Sequence, residues 1–287
     1  MKKYFFSILL IISVSAQAQV QPIKTYDDSA LDKLGWKIAI QAWTFKLFTL
    51  DETLNKLNEL GIKYIELYPK QLIGGGIEGT TNFDIDENKI QQLKNLLASK
   101  GIKAVSYGVV KAKTEADWIR IFEFADAMDI ETIVAEPEAK FMGLIETLCD
   151  KHKINLGIHN HPKPTPYWHP DLVKPLFAAR SNRIGISGDI GHWVRSGLDP
   201  LDCINQLEGR FVSLHLKDIN QFGVKTAHDV PWGTGNCNIA GVLHKLKNIG
   251  YKGIFSVEYE YNWENSLPEV KESIDYFYRI AYWLNQE

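Results

Sequence analysis

The residues best suited to chemistry in this sequence end short apolar runs. Gly188-Asp189-Ile190-Gly191-His192-Trp193 follows Ile184–Ile186 and supplies Asp189 and His192. The run Phe211–Leu216 contains His215 and is followed by Lys217 and Asp218. Comparable endings occur at Glu66, at Glu136-Pro137-Glu138, at His159-Asn160-His161 and at Glu258-Tyr259-Glu260. Several carboxylates gathered in an apolar setting are costly to bury unless a cation compensates them. A divalent metal held by carboxylates and imidazoles removes that cost. A mixed oxygen and nitrogen donor set suits Mn, Co, Zn, Mg or Fe and does not choose among them. Such a metal beside a general base can remove a proton next to a carbonyl.

The apolar runs alternate with helical patterns through eight units. The expected strands are Lys37–Phe45, Lys63–Tyr68, Lys103–Val110, Thr132–Ala135, Asn155–Ile158, Ile184–Ile186, Phe211–Leu216 and Gly253–Val257. Between them, Asp51–Leu60, Asp86–Lys100, Thr114–Met128, Lys140–His152, Pro170–Ala179 and Ile239–Ile249 read as helices. A further helix is opened by Asp199-Pro200, and Leu267–Leu284 closes the series. Strand–helix–strand units of this kind make parallel sheets. Chemistry at the ends of successive parallel strands is the arrangement of a (β/α)₈ TIM barrel, in which those ends share one mouth. The expected organisation is a single barrel over residues 37–287, behind a lead segment, 19–36. A doubly wound open sheet would want a phosphate-binding glycine fingerprint after its first strand, and Trp43-Thr44-Phe45 stands there instead. Gly74-Gly75-Gly76 reads as a flexible surface loop, and Ile219 to Cys237 as a long loop after strand seven.

Residues 1–18 read as a secretory signal peptide: Lys2-Lys3, the apolar stretch Tyr4–Val14, then Ala16-Gln17-Ala18 as a cleavage site. No later stretch approaches about 18 consecutive apolar residues. The expected location is therefore exported, in the periplasm, without a membrane anchor after cleavage. Formal net charge is −3, and loss of Lys2 and Lys3 takes the mature chain to −5. That balance gives no nucleic-acid or membrane surface. Cys149, Cys203 and Cys237 lie far apart with no CxxC spacing, which excludes a zinc or redox motif of that type. Cys149 and Cys203 fall on apolar helix faces; export leaves a pairing of two cysteines open.

The stretches GDIGHW, SLHLKD and FSVEYE, with IVAEPE and GIHNHP before them, resemble the xylose isomerase-like TIM barrel superfamily. That superfamily holds sugar epimerases, inosose dehydratases and AP endonuclease-type nucleases. The resemblance spans Lys37 to Glu260 and implies Asp189, His215 and Glu258 as metal ligands. In the epimerase branch the fourth ligand is a Glu ending strand five, where this sequence has His159. The His-x-His of strand five and the Ala-Glu of strand four look more like the inosose dehydratase branch. Glu136 is thus expected as fourth ligand, with His159 as its substitute. The nuclease branch needs extra histidines on strands two and three, and KYIELY and KAVSYG contain none.

The resemblance further implies a metal that polarises a carbonyl while a base removes the adjacent proton. His161 or Glu258 is the expected base. His192 or Lys217 would hold substrate oxygens or protonate a leaving group. His159, His192, Trp193 and Trp232 are expected to contact substrate, the indoles as part of an aromatic mouth suited to sugar C–H faces. Arg195 and Lys217 are the only obvious cations for a phosphate, so the expected substrate is an unphosphorylated keto sugar, glycoside or cyclitol. Isomerisation or epimerisation leads; elimination by a lyase or dehydratase shares its first step. An exported sugar-binding protein on an inactive barrel is the rival from another class. N-terminal sequencing of protein expressed in its native host is expected to begin at Gln19; a chain beginning at Met1 in the cytoplasm would overturn the export reading.

Overall fold

A computed structural model describes residues 26–286. The expected signal peptide and the first part of the lead segment lie outside the described residues. Eight parallel strands close into one barrel: β1 Trp36–Gln41, β2 Tyr64–Leu67, β3 Lys103–Val110, β4 Thr132–Ala135, β5 Asn155–His159, β6 Ile184–Asp189, β7 Phe211–Leu216 and β8 Gly253–Val257. Each strand pairs with its neighbours in chain order, and β8 pairs with β1 from Trp36–Gly253 to Ile40–Val257. Closure leaves no unpaired barrel edge.

The strands are buried almost throughout because helices cover the outside of the barrel. The principal helices are α1 Leu50–Leu60, α2 Glu87–Ser99, α3 Glu115–Ala127, α4 Met142–His152, α5 Pro170–Phe177, α6 Pro200–Gln206, α7 Ile239–Asn248 and α8 Leu267–Leu284. Their ends follow local chemistry. Thr49 and Glu52 form a reciprocal capping box on α1, and Gly61 ends it at φ 71°. Asp86 and Thr114 cap α2 and α3, while Pro170 and Pro200 stand in the first turns of α5 and α6. The core lies between sheet and helices, with Trp118, Phe122, Phe124, Phe255 and Phe277 fully enclosed.

The two-residue period of a strand places residues i and i+2 on one face. Ser187, Ser213 and Ser256 are buried two positions before Asp189, His215 and Glu258. Ser213 donates to Ser187 at 2.8 Å, and Ser256 donates to Glu66 at 2.6 Å. A floor of small hydroxyls therefore underlies the ionisable groups at the strand ends.

Two expectations are corrected. The first strand stops at Gln41, because its side chain accepts the Trp43 amide at 3.0 Å and turns Ala42–Phe45 into a 3₁₀ helix. Gly74-Gly75-Gly76 is not a flexible loop. It turns a small antiparallel hairpin, Leu72–Gly74 against Ile77–Thr80, with Ile73 enclosed. The Ile219–Cys237 loop is tied down by Asp218, which accepts the amides of Ile219, Gly233, Gly235 and Cys237 at 2.8–3.0 Å. Among the described residues the three cysteines are free and buried, so the pairing left open by the sequence is not made. No described helix is long and apolar enough to cross a membrane.

Where β6 passes β7, Gly185 leaves no room for a side chain: an added Cβ would meet the Arg210 carbonyl oxygen at 2.0 Å. Gly185→Ala is expected to destabilise the fold by about 1–3 kcal/mol through overpacking. Gly143, exposed on α4 with nothing near its Cβ position, should give the opposite sign, about 0.4–1 kcal/mol of stabilisation as Ala. Urea unfolding midpoints of the two variants check the pair.

Candidate metal centre and active site

Asp189 ends β6 with its two carboxylate oxygens divided between two tasks. Oδ1 accepts the His192 amide at 2.8 Å and caps the short helix Ile190–Arg195. Oδ2 turns to the barrel axis and has no hydrogen-bond partner of good geometry. Asn160 holds the residue from behind. Its side chain accepts the Asp189 amide at 2.8 Å and donates to the Asp189 carbonyl at 2.9 Å, taking the place of a strand neighbour.

His159 ends β5 beside it, fully buried, with both ring nitrogens unpartnered by any hydrogen bond. Its Nε2 lies 3.7 Å from Asp189 Oδ2. Burial works against its charge, Asp189 opposes that effect and the neighbouring imidazoles add to it, and the net result is a pKa lowered to about 4. His215, on β7, lies between two carboxylates: Nδ1 is 2.9 Å from Glu258 and Nε2 is 2.9 Å from Glu66. Burial would suppress its charge, yet those carboxylates hold its pKa well above the ordinary imidazole value. Glu66 also accepts Gln41 Nε2 at 2.8 Å. A carboxylate on the far nitrogen of a ligating histidine fixes its tautomer and orientation, which leaves His215 Nδ1 for the site.

One ligand atom from each of His159, Asp189, His215 and Glu258 lies within 4.8 Å of the others. Two imidazoles and two carboxylates make a donor set suited to a divalent transition metal. The orphaned atoms of His159 and Asp189 are what such an ion would satisfy. The fourth member is therefore corrected: the structure places His159, not Glu136, with the other three. Glu136 is engaged elsewhere. It pairs with His161 Nδ1 and with Lys111 Nζ at 2.6 Å. Burial raises its pKa, but those two partners outweigh it and hold the carboxyl down at about 2. A second group, Glu136, His159 and His161, also brings its ligand atoms within 4.8 Å.

Lys217 is buried against Asp189 Oδ2 at 3.1 Å, Glu258 Oε2 at 2.9 Å and Glu260 Oε2 at 2.7 Å. Desolvation opposes its charge, and the three carboxylates overcome it, keeping the ammonium protonated well above its usual pKa. Arg195 joins the same network through Glu260, Asp229 and the Ala227 carbonyl. It also lies 3.2 Å from His192 Nδ1, while Lys217 Nζ lies 3.4 Å from His192 Nε2, so both ring nitrogens face cationic donors. His192 is buried beside Lys217 and Asp189. Asp218, next to Lys217 in the chain, is a loop anchor through the four amides it accepts.

Two further expectations do not hold. Trp193 is 1% exposed and packs over Gly188, inside the wall. Trp232 is 2% exposed and meets Phe277 of α8 edge-on, 6.1 Å between centroids. Neither ring faces substrate space. The mouth opens instead into a cleft of about 640 Å³ lined by His161, Glu258 and Glu260 on one side and by Trp43, Tyr68 and Phe83 on the other. Gln41 and Asn160 were missed as site residues. The repeated Ser-x-Asp189, Ser-x-His215 and Ser-x-Glu258 was a usable signal for the inward face, whereas nothing local marked Gln41 or Asn160.

These features define a (β/α)₈ barrel with a His/Asp/His/Glu cluster at its C-terminal mouth. The chain belongs to the xylose isomerase-like TIM barrel family, whose sequence model matches residues 54–280. It is similar to inosose dehydratase from Lacticaseibacillus casei strain BL23, at 22% identity over 282 residues, covering 83% of this chain and 90% of that one. A stretch of 123 residues is 32% identical to an uncharacterised protein of Methanocaldococcus jannaschii and spans 40% of each chain. The solved structure of an uncharacterised protein from Parabacteroides distasonis superposes with TM-score 0.69 at 32% identity, over 85% of this chain and 98% of that one.

The His159 environment makes a signed pH prediction for the metal-free protein. Its pKa falls from 6.5 unfolded to about 4 folded, so between those values the unfolded chain binds more protons. Stability is then expected to rise as pH increases from 4 to 6.5 and to be lost on acidification, by at most about 3 kcal/mol from this group. In EDTA, the difference in unfolding free energy between wild type and His159→Asn should widen with pH across that window. A difference that stays flat would show that His159 has no depressed pKa.

Proposed function

We propose that the protein is an exported, divalent-metal-dependent enzyme that removes the proton α to the carbonyl of an unphosphorylated keto sugar or cyclitol. The observation carrying this reading is the convergence of His159, Asp189, His215 and Glu258, with buried donor atoms on the first two left unsatisfied. Those four residues would hold the ion, which supplies Lewis-acid polarisation of a bound carbonyl. Export rests on the Lys2-Lys3, apolar-run and Ala16-Gln17-Ala18 order.

His161 is the base. Its Nδ1 is held by Glu136, which turns Nε2 to the cleft and stabilises the imidazolium formed when that nitrogen takes the proton. Lys217 supplies N–H donors on the inner wall, with His192 beside it, suited to holding substrate oxygens as charge develops on them. Glu258 is the alternative base. The substrate lacks a phosphate because Arg195 and Lys217, the two inner cations, are already tied to carboxylates. Return of the proton to another face or carbon gives epimerisation or isomerisation. The similarity to inosose dehydratase across most of the chain favours a second reading, in which loss of a β-substituent follows the same first step. A carbohydrate-binding protein on an inactive barrel would need neither metal nor base.

Elemental analysis is expected to find one divalent ion per chain in wild type. His159→Ala and Asp189→Ala should lose it, and Glu136→Gln should keep it. Full occupancy in both Ala variants would refute the ligand set. In deuterated water with a panel of keto sugars, the metallated enzyme should place solvent deuterium at one carbon. His161→Ala should slow that exchange about 10²–10⁴-fold with metal retained. Undiminished exchange moves the base to Glu258, and absence of exchange with every ketone counts against the enolising chemistry.

A further inference from the structure

The cleft has two unlike ends. His161, Glu258 and Glu260 form the polar end. The other side, past the ends of β1 and β2 and in the segment before α2, presents Trp43, Tyr68 and Phe83 beside Gly108–Val110, with Lys70, Asn82 and Lys111 among them. One ring at the polar end leaves this aromatic side unused, since a cleft of about 640 Å³ sits in the range that encloses drug-sized ligands. Trp43 is 37% exposed although the strand end carrying it is buried. It is also held in place. Its amide is fixed by Gln41 at 3.0 Å, Tyr68 meets it edge-on at 5.1 Å and 85°, and Lys46 Nζ lies 4.8 Å from its ring centre. A large apolar ring kept rigid and open is a preorganised binding surface, because its ordering cost is met before the ligand arrives.

We propose that this aromatic side is a second subsite, and that the substrate is a glycoside: a sugar ring at the polar end linked to a further ring packed on Trp43, Tyr68 and Phe83. This rests on the carbohydrate reading above and extends it. The linked ring needs an apolar face for the aromatic side chains and tolerates polar groups at its edge near Lys70, Asn82 and Lys111, which both a second sugar and a hydroxylated aromatic aglycone offer. Gln41 joins the two ends, since the same side chain that fixes Trp43 donates to Glu66 behind His215.

Isothermal titration of the metal-loaded protein with glucose, with α- and β-linked disaccharides of glucose, and with phenyl glucosides tests it. At least one two-ring ligand should bind about tenfold tighter than glucose. Trp43→Ala and Phe83→Ala should reduce that ligand to the glucose level while leaving glucose within about twofold. Trp283→Ala, an exposed indole on α8, should change nothing. Preference for disaccharide or for phenyl glucoside identifies the second ring. Glucose bound as tightly as every two-ring ligand, or a preference that survives both substitutions, overturns the subsite and leaves the carbohydrate reading intact. Binding of no sugar at all, with metal in place, overturns the subsite, and the deuterium exchange with keto sugars then decides the carbohydrate reading by itself.

Discussion

The structure depends on compensating negative charge in a place that water does not reach. Asp189, Glu258, Glu66, Asp218 and Asp229 are all buried around one end of the barrel. An uncompensated carboxylate there would cost several kcal/mol. Each is answered differently. Glu66 receives Gln41, Ser256 and His215; Asp218 receives four amides; Asp229 receives Arg195 and the Glu260 amide. Asp189 and Glu258 share Lys217, and after that arrangement Asp189 Oδ2 and both nitrogens of His159 still lack a hydrogen bond. The ionic network thus serves as scaffold for most of its members and leaves a residue of unmet donors at one point.

That division separates holding from reacting. Asn160, Gln41 and Glu66 orient the groups that face the axis without themselves lining substrate space as donors to a metal. Lys217 stands in between: its ammonium pairs with both cluster carboxylates, Asp189 at 3.1 Å and Glu258 at 2.9 Å, so any ion entering the cluster would meet a site already partly balanced. This favours a divalent ion whose affinity is set by ligand geometry more than by raw negative charge.

Much of this was legible in the residues. The eight strand–helix units follow from apolar runs of strand length, helical periodicity and glycine or proline at the boundaries, all of which are local. Asp189, His215 and Glu258 could be placed at one mouth because barrel closure brings consecutive strand ends together. What could not be read depended on side chains folding back on the chain. Gln41 ends the first strand by capping its own neighbour, a bond that competes with strand continuation. Trp193 and Trp232 sit next to ionisable residues in sequence, but a helical turn and the α8 packing rotate them into the wall. Glu136 and His159 are equally plausible by type; only the three-dimensional pairing of Glu136 with His161 and Lys111 separates them.

The unequal attachment of the cluster residues has an evolutionary consequence. Asp189 is at once helix cap, partner of Asn160 through its backbone and member of the cluster, so a change of side chain there damages fold and site together. His159 bears no hydrogen bond that the fold requires. Its side chain can therefore change type without breaking a hydrogen bond of the barrel, provided the buried volume is kept. In a lineage built on this scaffold, strand five is where the cluster can vary, and strand six is where it cannot.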